Sequence, residues 1–118
     1  VADIVNVGST AGRVARPGSS DYNPTKFGLN GFTEALRQEL LVERVRVAVV
    51  EPGTVRTELA DHLGEATREA AREAALRQVG GIEPLRAEDI ADAIGYIVTR
   101  ERRVAVNEML VRAGDQPW

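Results

Sequence analysis

Tyr22 and Lys26 stand four residues apart, a spacing that on a helix puts both side chains on one face roughly one turn, or ~6 Å, apart. A phenol with its ordinary pKa near ~10 is a poor acid or base at neutral pH, and a neighbouring ammonium favours the phenolate and draws that value down. Lys26 is placed to be that cation. Ser9 stands thirteen positions before Tyr22. Its hydroxyl could hydrogen-bond the oxygen of a carbonyl or alcohol that Tyr22 protonates or deprotonates. A Tyr and a Lys at this spacing are also common as unrelated surface residues, so the elements that carry them decide what they do.

Asp3-Ile4-Val5-Asn6-Val7 is β-branched and apolar enough for a short buried strand, with Gly8-Ser9-Thr10-Ala11-Gly12 as its exit loop. After the loop Pro17-Gly18-Ser19-Ser20, Asp21 is expected to cap a helix that tolerates Pro24 in its first turn and runs to about Val42. Phe27, Leu29, Phe32, Leu36 and Leu40 follow helical spacing along it. The valine-dominated run from Val45 to Val50 predicts a parallel strand covered on both faces. Strand, helix and strand make a βαβ unit. Its right-handed crossover puts Ser9 and the Pro52-Gly53 turn at one carboxyl edge of the sheet, where open α/β sheets bind ligands. The polar stretch from Glu58 to Gly80 predicts one or two mobile helices stopped by Gly80-Gly81. Ala87 to Thr99 predicts an amphipathic helix with Ile90, Ala91, Ile94, Ile97 and Val98 inward and Glu88-Asp89 at its positive end, and Asn107 to Val111 predicts a last strand.

The composition closes several routes. A chain of 118 residues, 43% hydrophobic, fits a single α/β domain. The net charge of -3 with both signs interspersed gives no basic face for nucleic acid. No apolar run approaches the roughly 18 residues that span a bilayer, and no signal-peptide pattern opens the chain, so a cytoplasmic protein is expected. Without cysteine and with one histidine, thiolate chemistry and histidine metal clusters are out of reach. His62 sits in a polar stretch and reads as a surface residue, and the Arg and Glu residues from Glu65 to Arg77 read as a solvated face. Gly8 and Gly12 mimic a dinucleotide fingerprint, but the third glycine is missing at the required spacing.

Four linked features carry a resemblance: the serine loop Val7-Gly8-Ser9-Thr10-Ala11-Gly12, the motif Tyr22-Asn23-Pro24-Thr25-Lys26, the valine strand, and Glu51-Pro52-Gly53-Thr54-Val55-Arg56-Thr57. Over nearly all of its length the chain resembles the short-chain dehydrogenase/reductase family. The resemblance implies an α/β fold, a partial Rossmann-like doubly wound parallel sheet of about three strands with flanking helices. It makes residues 1–118 the C-terminal part of a single domain whose N-terminal dinucleotide-binding half is absent here. It implies an NAD(P)-dependent oxidoreductase, with NADP slightly favoured, that interconverts a small carbonyl and its alcohol or hydroxy acid. By the same resemblance, Ser9 orients the substrate oxygen, Tyr22 is the acid/base, and Lys26 binds the ribose and lowers the tyrosine pKa. Tyr22, Lys26, Pro52, Gly53, Val55 and Thr57 are then the cofactor contacts, although a plain strand-ending turn accounts for Pro52-Gly53 equally well on local grounds. A homo-oligomer through helix 21–42 is implied too. The alternative is a truncated, non-catalytic remnant that serves only as an oligomerisation or structural module.

Overall fold

A parallel strand covered on both faces needs side chains that fill space without polar groups, and Val45–Pro52 meets that demand over most of its length. In a computed structural model, which describes residues 2–15, 17–56 and 82–117, the elements in chain order are β1 (Ala2–Val7), a 3-10 turn (Thr10–Gly12), α1 (Tyr22–Glu39), a second 3-10 turn (Leu41–Glu43), β2 (Val45–Pro52), β3 (Val55–Arg56), β4 (Leu85–Arg86), α2 (Ala87–Val98) and β5 (Glu108–Val111). The main sheet has the order β1-β2-β5 with both pairings parallel. This is the partial Rossmann-like α/β sheet that the sequence predicts. β3 and β4 form a separate two-stranded parallel pair, which the sequence reading did not anticipate because two residues per strand carry no periodicity.

β2 sorts its side chains by face. Ala48 and Val50 pack with Ile90 and Ile97 of α2, joined at the margin by Val5, Ala93, Ile94 and Met109. The inward positions of α2 are therefore 90, 93, 94 and 97, and the expectation for Ala91 and Val98 is corrected. Both are exposed, because each lies a residue off the stripe that meets the sheet. On the opposite face, Asn6 Nδ2 donates to Thr33 Oγ1 of α1 at 2.9 Å, a polar contact between helix and sheet.

The apolar positions along α1 divide, with Leu29, Leu36 and Leu40 half-buried. Phe27 and Phe32 are 44% and 59% exposed, whereas Asn23 and Thr33 are buried. Phe27 and Phe32, five residues apart, point to different sides of the helix, while the strand and loop under it offer an amide and carbonyls that meet Thr33 and Asn23. The helix is also shorter than expected. It ends at Glu39, and after the 3-10 turn Arg44 adopts a left-handed conformation at φ 57° that turns the chain into β2. Asp21 makes no side-chain cap hydrogen bond; its carbonyl accepts a long contact from Thr25 Oγ1.

The amino edge of the sheet is closed by charge. Arg46 Nε and Nη2 donate to the two Asp3 oxygens at 2.7 and 3.0 Å, and Arg102 Nη1 adds a third bond at 2.9 Å. Arg46 Nη1 also reaches the carbonyls of Arg100 and Val104 just beyond α2. One guanidinium thus joins β1, β2 and the carbonyls that follow a helix C-terminus, where cations are favoured. Among the described residues, no helix is long and apolar enough to cross a membrane.

Candidate active site

β1 and β2 run parallel with Val7 opposite Val50, and Gly8 N–H continues the ladder to the Val50 carbonyl at 2.7 Å. Ser9 and Pro52 therefore emerge at the same carboxyl edge. Ser9, extended at φ -165°, caps the first 3-10 turn by accepting from Ala11 N–H at 3.1 Å. A serine hydroxyl has one proton to donate beyond its acceptor lone pairs, so the cap orients Oγ while that proton stays able to meet an external oxygen.

Asn23 ties the start of α1 to this turn. Its Nδ2 donates to the Ala11 and Val14 carbonyls at 2.8 and 2.9 Å. Seven residues on, Asn30 Nδ2 donates to the Gly12 carbonyl at 3.2 Å. A side chain at Gly12 would place Cβ 2.6 Å from Asn30 Nδ2 and 3.0 Å from the Lys26 carbonyl, so helix and turn approach this closely only with glycine there. Gly8 is similarly tight against Val49, at 3.1 Å. These two glycines have a packing role.

Docked this way, α1 presents Tyr22 at its first turn, 49% exposed, with Lys26 half-buried beside it. Lys26 Nζ lies 5.4 Å from the centroid of the Tyr22 ring, within the range of cation–π attraction. The ammonium and the phenol are neighbours, as their spacing predicts.

The sequence reading missed what braces the edge from below. Glu51, the penultimate residue of β2, is completely buried just before the Pro52-Gly53 turn. Arg13 Nε and Nη2 donate to its two oxygens at 2.7 and 2.9 Å, and Nη2 also reaches Glu108 of β5 at 2.7 Å. The bond to Glu51 is the main cause that holds the Arg13 guanidinium pKa above its ordinary value. Asn30 Nδ2 adds a longer contact to Glu51 at 3.4 Å. Because that amide must aim its nitrogen at Gly12 and Glu51, its oxygen is left buried without a hydrogen-bond partner among the described residues. A signal was present: a carboxylate inside a valine strand covered on both faces demands a cation.

Of the other predicted residues, Pro52 is buried and Gly53 half-buried at this edge, with Gly53 N–H donating to the Val111 carbonyl at 2.7 Å. Val55 packs its side chain against the Ala48 and Val50 cluster. Thr57, His62 and the predicted helices from Glu58 to Gly80 lie outside the described residues. A separate open depression of about 400 Å³, lined by Glu83, Arg86, Asp89 and Asp115 among others, contains none of Ser9, Tyr22 or Lys26.

The family described as short chain dehydrogenase matches residues 1–68. The chain is 39% identical over 109 residues to an NADP-dependent 3-hydroxy acid dehydrogenase of Schizosaccharomyces pombe, covering 92% of this chain and 40% of the relative. It is 38% identical over 117 residues to sulfoacetaldehyde reductase 2 of Chromohalobacter salexigens, covering 99% and 45%. The chain thus spans less than half the length of these curated relatives. Among solved structures, the closed form of a serine dehydrogenase complexed with NADP+ matches with a TM-score of 0.76 at 29% identity, over 92% of this chain and 42% of that one.

Proposed function

The chain belongs to the short-chain dehydrogenase family, and on that premise we propose that its protein uses NAD(P) to interconvert a small carbonyl compound with the matching alcohol or hydroxy acid. The observation that carries this is the Asn23 clamp: two hydrogen bonds hold the start of α1 against the Ser9 turn, at the edge where β2 delivers Pro52-Gly53.

In the reductive direction the Ser9 hydroxyl donates to the substrate oxygen and fixes its position. The Tyr22 hydroxyl gives its proton to that oxygen as the carbonyl carbon becomes saturated, and takes it back in the oxidative direction. Lys26 places a positive charge beside the phenolate that this transfer leaves. The nicotinamide, when bound, is the hydride donor or acceptor.

The residues at this edge suit the nicotinamide end of a dinucleotide. Lys26 and Tyr22 offer donors for ribose hydroxyls, and Pro52, Gly53 and Val55 offer main-chain groups for a carboxamide, to which the family resemblance adds Thr57. The pyrophosphate is a different matter, since it favours amides at an open helix N-terminus. Asn23 N–H of α1 is already given to the Ser19 carbonyl at 2.8 Å, and the N-terminus of α2 holds Asp89, which accepts from Arg86 N–H at 2.8 Å. Neither of these helix N-termini, the two among the described residues, is thus open to a pyrophosphate, and the described residues are taken as the catalytic part of one domain. Preference for NADP over NAD rests on likeness to the NADP-dependent relative. A cytoplasmic setting fits a chain without cysteine. The exposed apolar side chains Phe32, Leu41 and Val42 at and beyond the second half of α1 support a homo-oligomer built on that helix.

The test is the loss of nicotinamide absorbance when the full-length protein meets NADPH or NADH with small aldehydes, ketones and 3-oxo acids. Turnover with one of them is expected. If neither nucleotide binds to the folded protein, the oxidoreductase reading fails and a purely structural role in assembly replaces it.

A further inference from the structure

Gly53 has a negative or extended φ, because Gly18 is the glycine found at positive φ among the described residues. Its identity therefore has no conformational cause. It has a spatial one: a Cβ on Gly53 would overlap Gln116 Oε1 and come 2.9 Å from Cδ and 3.0 Å from Nε2 of the same side chain. Contacts below about 3 Å require something to move, and here it is the end of the Gln116 side chain that would have to leave its place.

Gln116 reaches that place from the far end of the chain. After β5 the backbone turns back, with Gln116 N–H donating to the Ala113 carbonyl at 3.0 Å, and the side chain is 8% exposed. Its Oε1 accepts from Thr54 N–H at 2.9 Å. Gly53 N–H is already spent on the Val111 carbonyl. The two successive amides that follow β2 are thus both held by the C-terminal strand and its turn, one through the main chain and one through a carboxamide.

We infer that Gln116 is a positioning residue of the active-site edge: it sets the backbone of Gly53-Thr54-Val55, and Gly53 and Gln116 form a matched pair in which the glycine leaves room for the carboxamide. This rests on the assignment of that segment to the nicotinamide under the proposed function. The role requires an acceptor at position 116, not merely bulk. Gln116→Leu keeps nearly the same volume without the acceptor, and Gln116→Glu keeps the acceptor.

The experiment uses the full-length protein and two readouts, hydrogen exchange at the Thr54 amide and steady-state kinetics with NADPH or NADH. Loss of one hydrogen bond to a buried amide corresponds to about a tenfold change. Gln116→Leu should speed Thr54 exchange about tenfold and raise the nucleotide KM about as much with a smaller change in kcat, and Gln116→Glu should restore both to within about threefold. A second arm needs no catalysis: Gly53→Ala should lower the melting temperature, and adding Gln116→Ala to it should raise that temperature again by removing the overlap. Unchanged Thr54 exchange in Gln116→Leu, or a double variant less stable than Gly53→Ala, overturns the pairing. Faster exchange with unchanged nucleotide KM overturns the positioning role while leaving the oxidoreductase reading intact. Failure of the unsubstituted protein to bind either nucleotide overturns that reading, and the role of Gln116 with it.

Discussion

Glu51 is wholly buried while Arg13 keeps 41% of its side chain exposed, so the two halves of this ion pair should respond unequally to mutation. Arg13→Met preserves much of the stem and strands a carboxylate in the interior, with Asn30 Nδ2 at 3.4 Å beside it. Removing one partner of a fully buried pair costs roughly 3–5 kcal/mol. Exposure of Arg13 admits water and screening, which lowers the expected loss to about 2 kcal/mol. Glu51→Gln leaves a neutral amide in the pocket and an arginine that reaches solvent and still meets Glu108 at 2.7 Å, so its expected cost is about 1 kcal/mol. In the double variant neither charge is stranded, and the total should fall about 1 kcal/mol short of the sum. Urea unfolding of the full-length protein at neutral pH, followed by circular dichroism, measures all three as midpoint shifts at constant slope. A loss in Glu51→Gln equal to or larger than that in Arg13→Met would refute the argument from burial, and strict additivity would refute the coupling.

Tyr22→Phe should lower turnover by at least about a hundredfold with unchanged melting temperature, since the hydroxyl lies on a half-exposed side chain; near-normal turnover would remove Tyr22 from the mechanism. Asn23→Ala deletes both bonds from α1 to the Ser9 turn and should cost about 2 kcal/mol of stability and reduce kcat, read by unfolding and kinetics together. The Asp3 carboxyl is held below its ordinary range, first by the hydrogen bond from Arg46 and then by Arg102 against the opposing effect of burial. Its stabilisation is complete above the unfolded value of about 3.9 and is lost as pH falls through the lower folded value. The stability gap between the protein and Asp3→Asn should therefore stay level from neutral pH to about pH 4 and close below it. Phe32→Glu, on the exposed face of α1, should shift light-scattering mass toward the monomer without loss of helix content.

The strands and helices were largely legible because they rest on local rules. Valine repetition marks a strand covered on both faces, and β2 departs from the expected span by adding Glu51 and Pro52. Tyr22 and Lys26 were legible as a pair because four residues make about one helical turn whatever surrounds them, and their ring-to-ammonium distance of 5.4 Å follows. The polar part of the face that α1 turns inward was not legible. Apolar spacing at Leu29, Leu36 and Leu40 marks a half-buried side, but that asparagines and a threonine share the inward side depends on what the neighbouring strand and turn offer, and here they offer the Asn6 amide and the carbonyls of Ala11, Gly12 and Val14. The same holds for partnerships across long stretches of chain. Arg13 and Glu51 are 38 residues apart and Thr54 and Gln116 are 62 apart, and each member alone is an ordinary polar residue. The sequence by itself determined the main strands and helices and the spacing of Tyr22 and Lys26, since both depend on neighbours within a turn or a strand. Tertiary structure alone decided how that edge is braced, because a buried carboxylate or a bare amide chooses its partner by distance in space and not along the chain.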